Sequence, residues 1–193
     1  KHGKVYLNLF GVKAEIETEK DVEDRKKEKC VAHLNNLDDK VIDELCRKLA
    51  VNYMLTLKSV KDCGTSEEIE EFEKQIPNKF VNREILKYIT PQIIYIEPPL
   101  EDIPAYTLYC ECDWEEEHGV NLIFKGDNIL YFGDSCCTIG PWADAENYKY
   151  ELGFLKDYLN DNNLVIENLN DIFTKISENY KVEWIKKSKN QFY

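Results

Sequence analysis

The sequence predicts an α+β domain: a mostly antiparallel sheet, built from an N-terminal hairpin at residues 5–18 and a meander at 92–133, with helices packed on one face. Three observations carry that expectation. Val12, Ala14 and Ile16 alternate with Lys13, Glu15 and Glu17, the period of a half-buried strand. Ile42, Leu45, Leu49, Tyr53 and Leu57 recur at three- and four-residue spacing, the stripe of an amphipathic helix. Between residues 92 and 133, apolar runs are separated by Pro98-Pro99 and by Gly126-Asp127-Asn128, which are breaker and tight-turn sequences.

Taken in order, Val5 to Phe10 and Val12 to Thr18 read as two strands broken at Gly11. Residues 20–35 are charged with sparse apolar positions (Val22, Cys30, Val31, Leu34), a largely solvated helix. Asp38 and Asp39 are candidate N-caps for the main helix, because a short carboxylate accepts the unpaired first-turn N–H groups. Cys63-Gly64 ends it. Ser66 with Glu67, Glu68 and Glu70 opens a short acidic helix, its carboxylates placed at the positive end of the helix dipole, and Pro77 stops it. Asn82 to Ile89 reads as another short helix closed by Thr90-Pro91, since the residue before proline avoids the helical region. Ile93–Ile96, Ala105–Asp113, Val120–Lys125 and Ile129–Phe132 are the expected meander strands. A loop over 134–147, a helix over 148–159, an amphipathic helix over 169–180 and a basic tail from Lys181 with Trp184 and Phe192 complete the reading.

At 193 residues the chain suits a single domain spanning 1–193, its helical segment at 20–90 lying between hairpin and meander and its C-terminal helices within 148–180. Its 43% apolar content supplies a core and excludes global disorder. The 25 basic residues against 37 acidic ones give a net charge of −12, which argues against nucleic acid as a partner and leaves a basic protein as the complementary one. No apolar run approaches the ~20 residues needed to span a bilayer, so no membrane partner is expected. No charged-then-apolar leader opens the sequence, which does not begin with Met. Seven cysteines form an odd set spread over expected helices and strands, which favours free thiols and a cytoplasmic protein over a disulfide scaffold.

The densest chemistry lies at Cys110-Glu111-Cys112-Asp113-Trp114-Glu115-Glu116-Glu117-His118-Gly119. Cys110, Cys112 and His118, with Cys136-Cys137 further on, contain the donor types of a zinc site, although the spacing is not that of a zinc knuckle; small buried cysteines are the commoner case. Glu117 and His118 form a second candidate, an acid/base pair in which a carboxylate orients an imidazole. No P-loop, H-E-x-x-H, G-x-G-x-x-G or nucleophile elbow accompanies them, and the simpler expectation is that His118-Gly119 turns a hairpin corner. No cofactor is expected. Between Lys87 and Lys125 there is no Lys or Arg but eight acids: Glu97, Glu101, Asp102, Glu111, Asp113, Glu115, Glu116 and Glu117. Such a stretch is either a solvated face or a surface that draws a basic partner, with Glu115, Glu116 and Glu117 steering and Trp114 and Trp142 anchoring.

The run Trp114-Glu115-Glu116-Glu117-His118-Gly119, followed by an apolar strand, a Gly-Asp turn, Leu130-Tyr131-Phe132-Gly133 and Pro141-Trp142, resembles an uncharacterised bacterial domain family marked by a W-x-x-E-H-G hairpin. Phe10-Gly11-Val12-Lys13-Ala14-Glu15-Ile16 extends the likeness towards the N-terminus. Small acidic domains of that kind resemble the immunity proteins encoded beside polymorphic toxins, and the resemblance implies binding rather than catalysis. The expectation is a non-catalytic acidic interaction protein, an immunity-type inhibitor of a basic effector. The alternative is a metal-dependent or acid/base enzyme using His118 and Glu117.

Overall fold

Six strands stand side by side in chain order in the computed structural model, which describes residues 3–19, 22–76, 80, 83–133 and 139–143. The strands are β1 (Gly3–Leu7), β2 (Val12–Thr18), β3 (Ile89–Ile96), β4 (Ala105–Cys112), β5 (Glu115–Lys125) and β6 (Asn128–Gly133). Every neighbouring pair is antiparallel except β2 and β3, which run parallel. A parallel pair needs a long crossover, and here it carries three helices: α1 (Asp24–Asn35), α2 (Asp39–Cys63) and α3 (Ser66–Gln75), then a 3₁₀ turn at Glu84–Tyr88. The fold is therefore α+β with a mostly antiparallel sheet. None of the described helices is long and apolar enough to cross a membrane. The expected helices over 148–159 and 169–180, the basic tail and Cys136-Cys137 lie outside the described residues.

Local chemistry accounts for the boundaries. The β1–β2 hairpin closes at Gly11, whose φ of 70° suits a residue without a Cβ and whose N–H reaches Leu7 O at 2.8 Å. Asp38 is the N-cap of α2, its carboxylate accepting from Lys40 N at 3.2 Å. For α3 the cap is Thr65, one residue earlier than expected: its hydroxyl accepts from Glu68 N while the Glu68 carboxylate accepts from Thr65 N, a complete capping box.

Register identifies the buried face. Ile16, Ile94, Leu108, Leu122 and Phe132 form one cross-strand row. Lys48 of α2 lies over the Phe132 ring, and His33 of α1 reaches Tyr106, two residues along β4 from Leu108, so both helices cover this same face. The expected stripe Leu45, Leu49, Tyr53 and Leu57 is buried, and burial continues round α2 through Cys46, Ala50, Val51, Met54 and Leu55. α3 lies against its second side, with Phe72 stacked on Tyr53 at 5.7 Å.

The first strand ends at Leu7, and residues 8–10, expected to continue it, form the turn. Two further differences bear on the site. Pro91 does not close a helix; it lies inside β3, where the register slips between Pro91 and Ile93. A proline has no N–H to give a ladder and is tolerated where the ladder is already irregular. The hairpin corner between β4 and β5 is not His118-Gly119 but Asp113-Trp114, so Glu115, Glu116, Glu117 and His118 belong to β5. Cys110 pairs with Val120 and Cys112 with Glu115, so β5 carries more residues than β4 over this interval and bulges out.

Candidate functional site: the acidic tip of the β4–β5 hairpin

The eight acids between Lys87 and Lys125 divide into two groups. Near the open end of the hairpin, Glu101 takes a 2.8 Å contact from Lys125 Nζ. Asp102 is held by Lys26 and, at 3.0 Å, by Lys29, and these two ammonium groups bring its carboxyl down to about 2. Glu97 is half-buried, and burial, with the nearby Glu19 charge, pushes its carboxyl up. At the corner end stand Glu111, Asp113, Glu116 and Glu117, all exposed, and the half-buried Glu115. None of these five forms an ion pair with Lys or Arg among the described residues; Glu111 accepts from Gln92 Nε2 at 2.9 Å.

The tip is seated on α2 and the 3₁₀ turn. Trp114, at 4% exposure, is a core residue: its Nε1–H donates to Asn52 Oδ1 of α2 at 2.8 Å, and its ring meets Tyr53 edge-on at 5.8 Å. This corrects the expectation that Trp114 anchors a partner, because an indole buried against α2 has no face left to offer. Asp113 N–H reaches Tyr88 O at 3.1 Å, tying the corner to the 3₁₀ turn. Gly119 lies in the bulge with φ 64°, and a Cβ there would stand 2.2 Å from Cys110 O. Only glycine allows the two backbones so close.

The remaining candidates are separated. His118 is exposed, and its Nδ1 is 3.3 Å from Glu115 Oε1, so the carboxylate facing the ring in this contact belongs to Glu115 and not to Glu117. Cys110 and Cys112 are buried, with Sγ contacts to Leu108 O at 3.8 Å and Glu115 O at 3.7 Å. Burial pushes both thiols up, Cys112 to about 12. Among the described residues no group of three or more His, Cys, Asp or Glu side chains is arranged around a common point for a metal ion. Trp142 lies at the far end of the hairpin, its ring 4.8 Å beneath Lys125 Nζ, and its indole nitrogen has no partner among the described residues. It does not join Trp114 or the tip.

Two polar arrangements had no sequence signal. His33 on α1 bridges Asp127 Oδ1, 3.1 Å from Nε2, and the buried Tyr106 hydroxyl, 3.0 Å from Nδ1. Burial pushes the Tyr106 phenol well up, so it remains an O–H. These three groups pin α1 to the β4–β5–β6 end of the sheet. Lys48, in the middle of α2, is 7% exposed between Glu44 and the Phe132 ring. Its position looks like an ordinary exposed helix lysine until Phe132 is seen to lie beneath it.

These features define a class: an α+β domain presenting an acid-rich hairpin tip packed on α2. Residues 1–138 match the family described as Domain of unknown function (DUF6985), and the chain belongs to that family. Comparison with curated proteins finds no match, and comparison with solved structures finds none.

Proposed function

We propose that this protein is a non-catalytic interaction protein whose acidic hairpin tip binds a basic protein. The carrying observation is the division of the acids: Glu101 and Asp102 are matched by lysines, while Glu111, Asp113, Glu115, Glu116 and Glu117 have no Lys or Arg partner among the described residues. Carboxylates this close repel one another, so the cluster works against folding and is favoured only by what it meets in solution. The seat of the tip on α2 through Trp114 supports the reading, because a preorganised surface loses little freedom on binding.

The narrower form, an immunity-type inhibitor occluding a toxic effector, is supported by the hairpin resemblance alone. The enzyme alternative through His118 and Glu117 has less support, since the carboxylate 3.3 Å from His118 Nδ1 is that of Glu115. The test is capture from the source cell with wild type and with Glu115→Gln/Glu116→Gln/Glu117→Gln, followed by stopped-flow binding of the captured protein. The expected partner is basic, with an association rate that falls as salt rises and falls again in the triple variant, while dissociation barely changes. An unchanged rate and salt slope in the triple variant would sink the proposal.

A further inference from the structure

β1 is an edge strand, and its outer side is a row of backbone groups that another strand could join. Asn35, the last residue of α1, stands against that row. Its Nδ2 donates to Tyr6 O at 3.0 Å, and its Oδ1 accepts from Asn8 N at 2.8 Å. Those two bonds flank Leu7 and are the pair that one residue of a parallel neighbouring strand would make there. The side chain is held in place by its helix, since α1 is tied to the sheet through His33 and Tyr106 and through Lys26 and Lys29 to Asp102.

We propose that Asn35 is an edge plug: its carboxamide occupies the strand-addition site of β1 and keeps a second copy of this chain from extending the sheet through its own β1. The fit to a second copy follows from what remains open among the described residues. Tyr6 O points outward, so Tyr6 N–H and the backbone groups of Lys4, two residues along, face the same way. The Tyr6 side chain is 52% exposed, an aromatic strip beside the edge that a second β1 would cover. Lys4 on this short strand adds a further barrier, a charge of the kind that commonly guards open edges. The inference concerns the β1 edge and not the β4–β5 tip, and does not depend on the binding proposal.

The experiment compares the full chain with Asn35→Ala and Asn35→Ala/Tyr6→Pro by sedimentation velocity over a hundredfold concentration range. Asn35→Ala is expected to self-associate at least about tenfold more tightly than wild type. The added proline, which removes the outward Tyr6 N–H, is expected to return the association to the wild-type value. Should Asn35→Ala fail to fold, Asn35→Asp takes its place, keeping the acceptor for Asn8 N–H but losing the donor to Tyr6 O, and the same rise and the same reversal by Tyr6→Pro are expected. An unchanged association constant in the folded variant, or a rise that survives the proline, would overturn the proposal.

Discussion

Replacing Lys48 by Met tests whether burial or ion pairing dominates at the centre of α2. Lys48 Nζ is 3.2 Å from Glu44 Oε1, but Glu44 also contacts Arg47, so its attraction is shared. Desolvation wins, and with the Arg47 charge beside it the Lys48 ammonium is brought from 10.5 down to about 8. At ~1.4 kcal/mol per tenfold change in proton affinity, keeping this ammonium charged costs the folded state about 3 kcal/mol. That penalty is fully present below pH 8. It is lifted as pH rises from about 8 towards the unfolded value of ~10.4, because over this window the unfolded chain binds more protons than the folded one. Met keeps the stem and its packing but loses the Glu44 pair and a cation–π contact worth ~0.5–1 kcal/mol. The net expectation is that Lys48→Met is more stable than wild type by about 2 kcal/mol at pH 7, a gain that shrinks to nothing by about pH 10. Buried Cys46, Cys110 and Cys112 act with the opposite sign, since their thiols are pushed up and the unfolded chain ionises first. The informative quantity is therefore the difference between the two proteins in urea unfolding at pH 7, 8, 9 and 10, in which the thiols cancel. A variant several kcal/mol less stable at pH 7, with a difference that does not change with pH, would refute the reasoning and make the ion pair dominant.

At the hairpin, Gly119→Ala combines a positive φ with a Cβ 2.2 Å from Cys110 O, so a loss of about 2 kcal/mol or more is expected in chemical denaturation; an unchanged midpoint would place the close approach elsewhere. Trp114→Phe should cost about 1–2 kcal/mol for the lost bond to Asn52 and Trp114→Ala about 4 kcal/mol for the emptied core, both read as unfolding midpoints. Binding losses in a Trp114→Phe protein that is still folded and equally stable would restore Trp114 as a contact residue. Asp102, held at about 2 by Lys26 and Lys29, stabilises the fold above the unfolded value of ~3.9, and that contribution is lost as pH falls towards 2. Asp102→Asn should therefore flatten part of the acid limb of stability against pH between 4 and 2. Cys30, Cys46, Cys63, Cys110 and Cys112 are free, and thiol titration in denaturant without reductant is expected to count all seven cysteines of the chain.

Much of the fold was legible in the sequence because it is written in local periods. The alternation Val12, Ala14, Ile16 set β2, the stripe from Ile42 to Leu57 set α2, and the Gly126-Asp127 turn set the β5–β6 hairpin. Each depends on neighbours within about a dozen residues, where the geometry of the chain leaves few choices. What only the tertiary structure decided were matters of pairing between distant segments. The parallel join of β2 to β3 brings Ile16 beside Ile94 across the entire helical crossover. Pro91 could be read as a helix stop until β4 paired alongside it. Trp114 is a core residue because Asn52, 62 positions away, accepts its N–H, and His33 is tied to Asp127 across 94 positions. The acidic run was visible as composition, but which carboxylates are matched depended on Lys26 and Lys29 being carried by α1 to Asp102. Spacing along the chain records periodicity, whereas charge compensation and burial depend on distances through space, and those exist only once the helices have closed over the sheet.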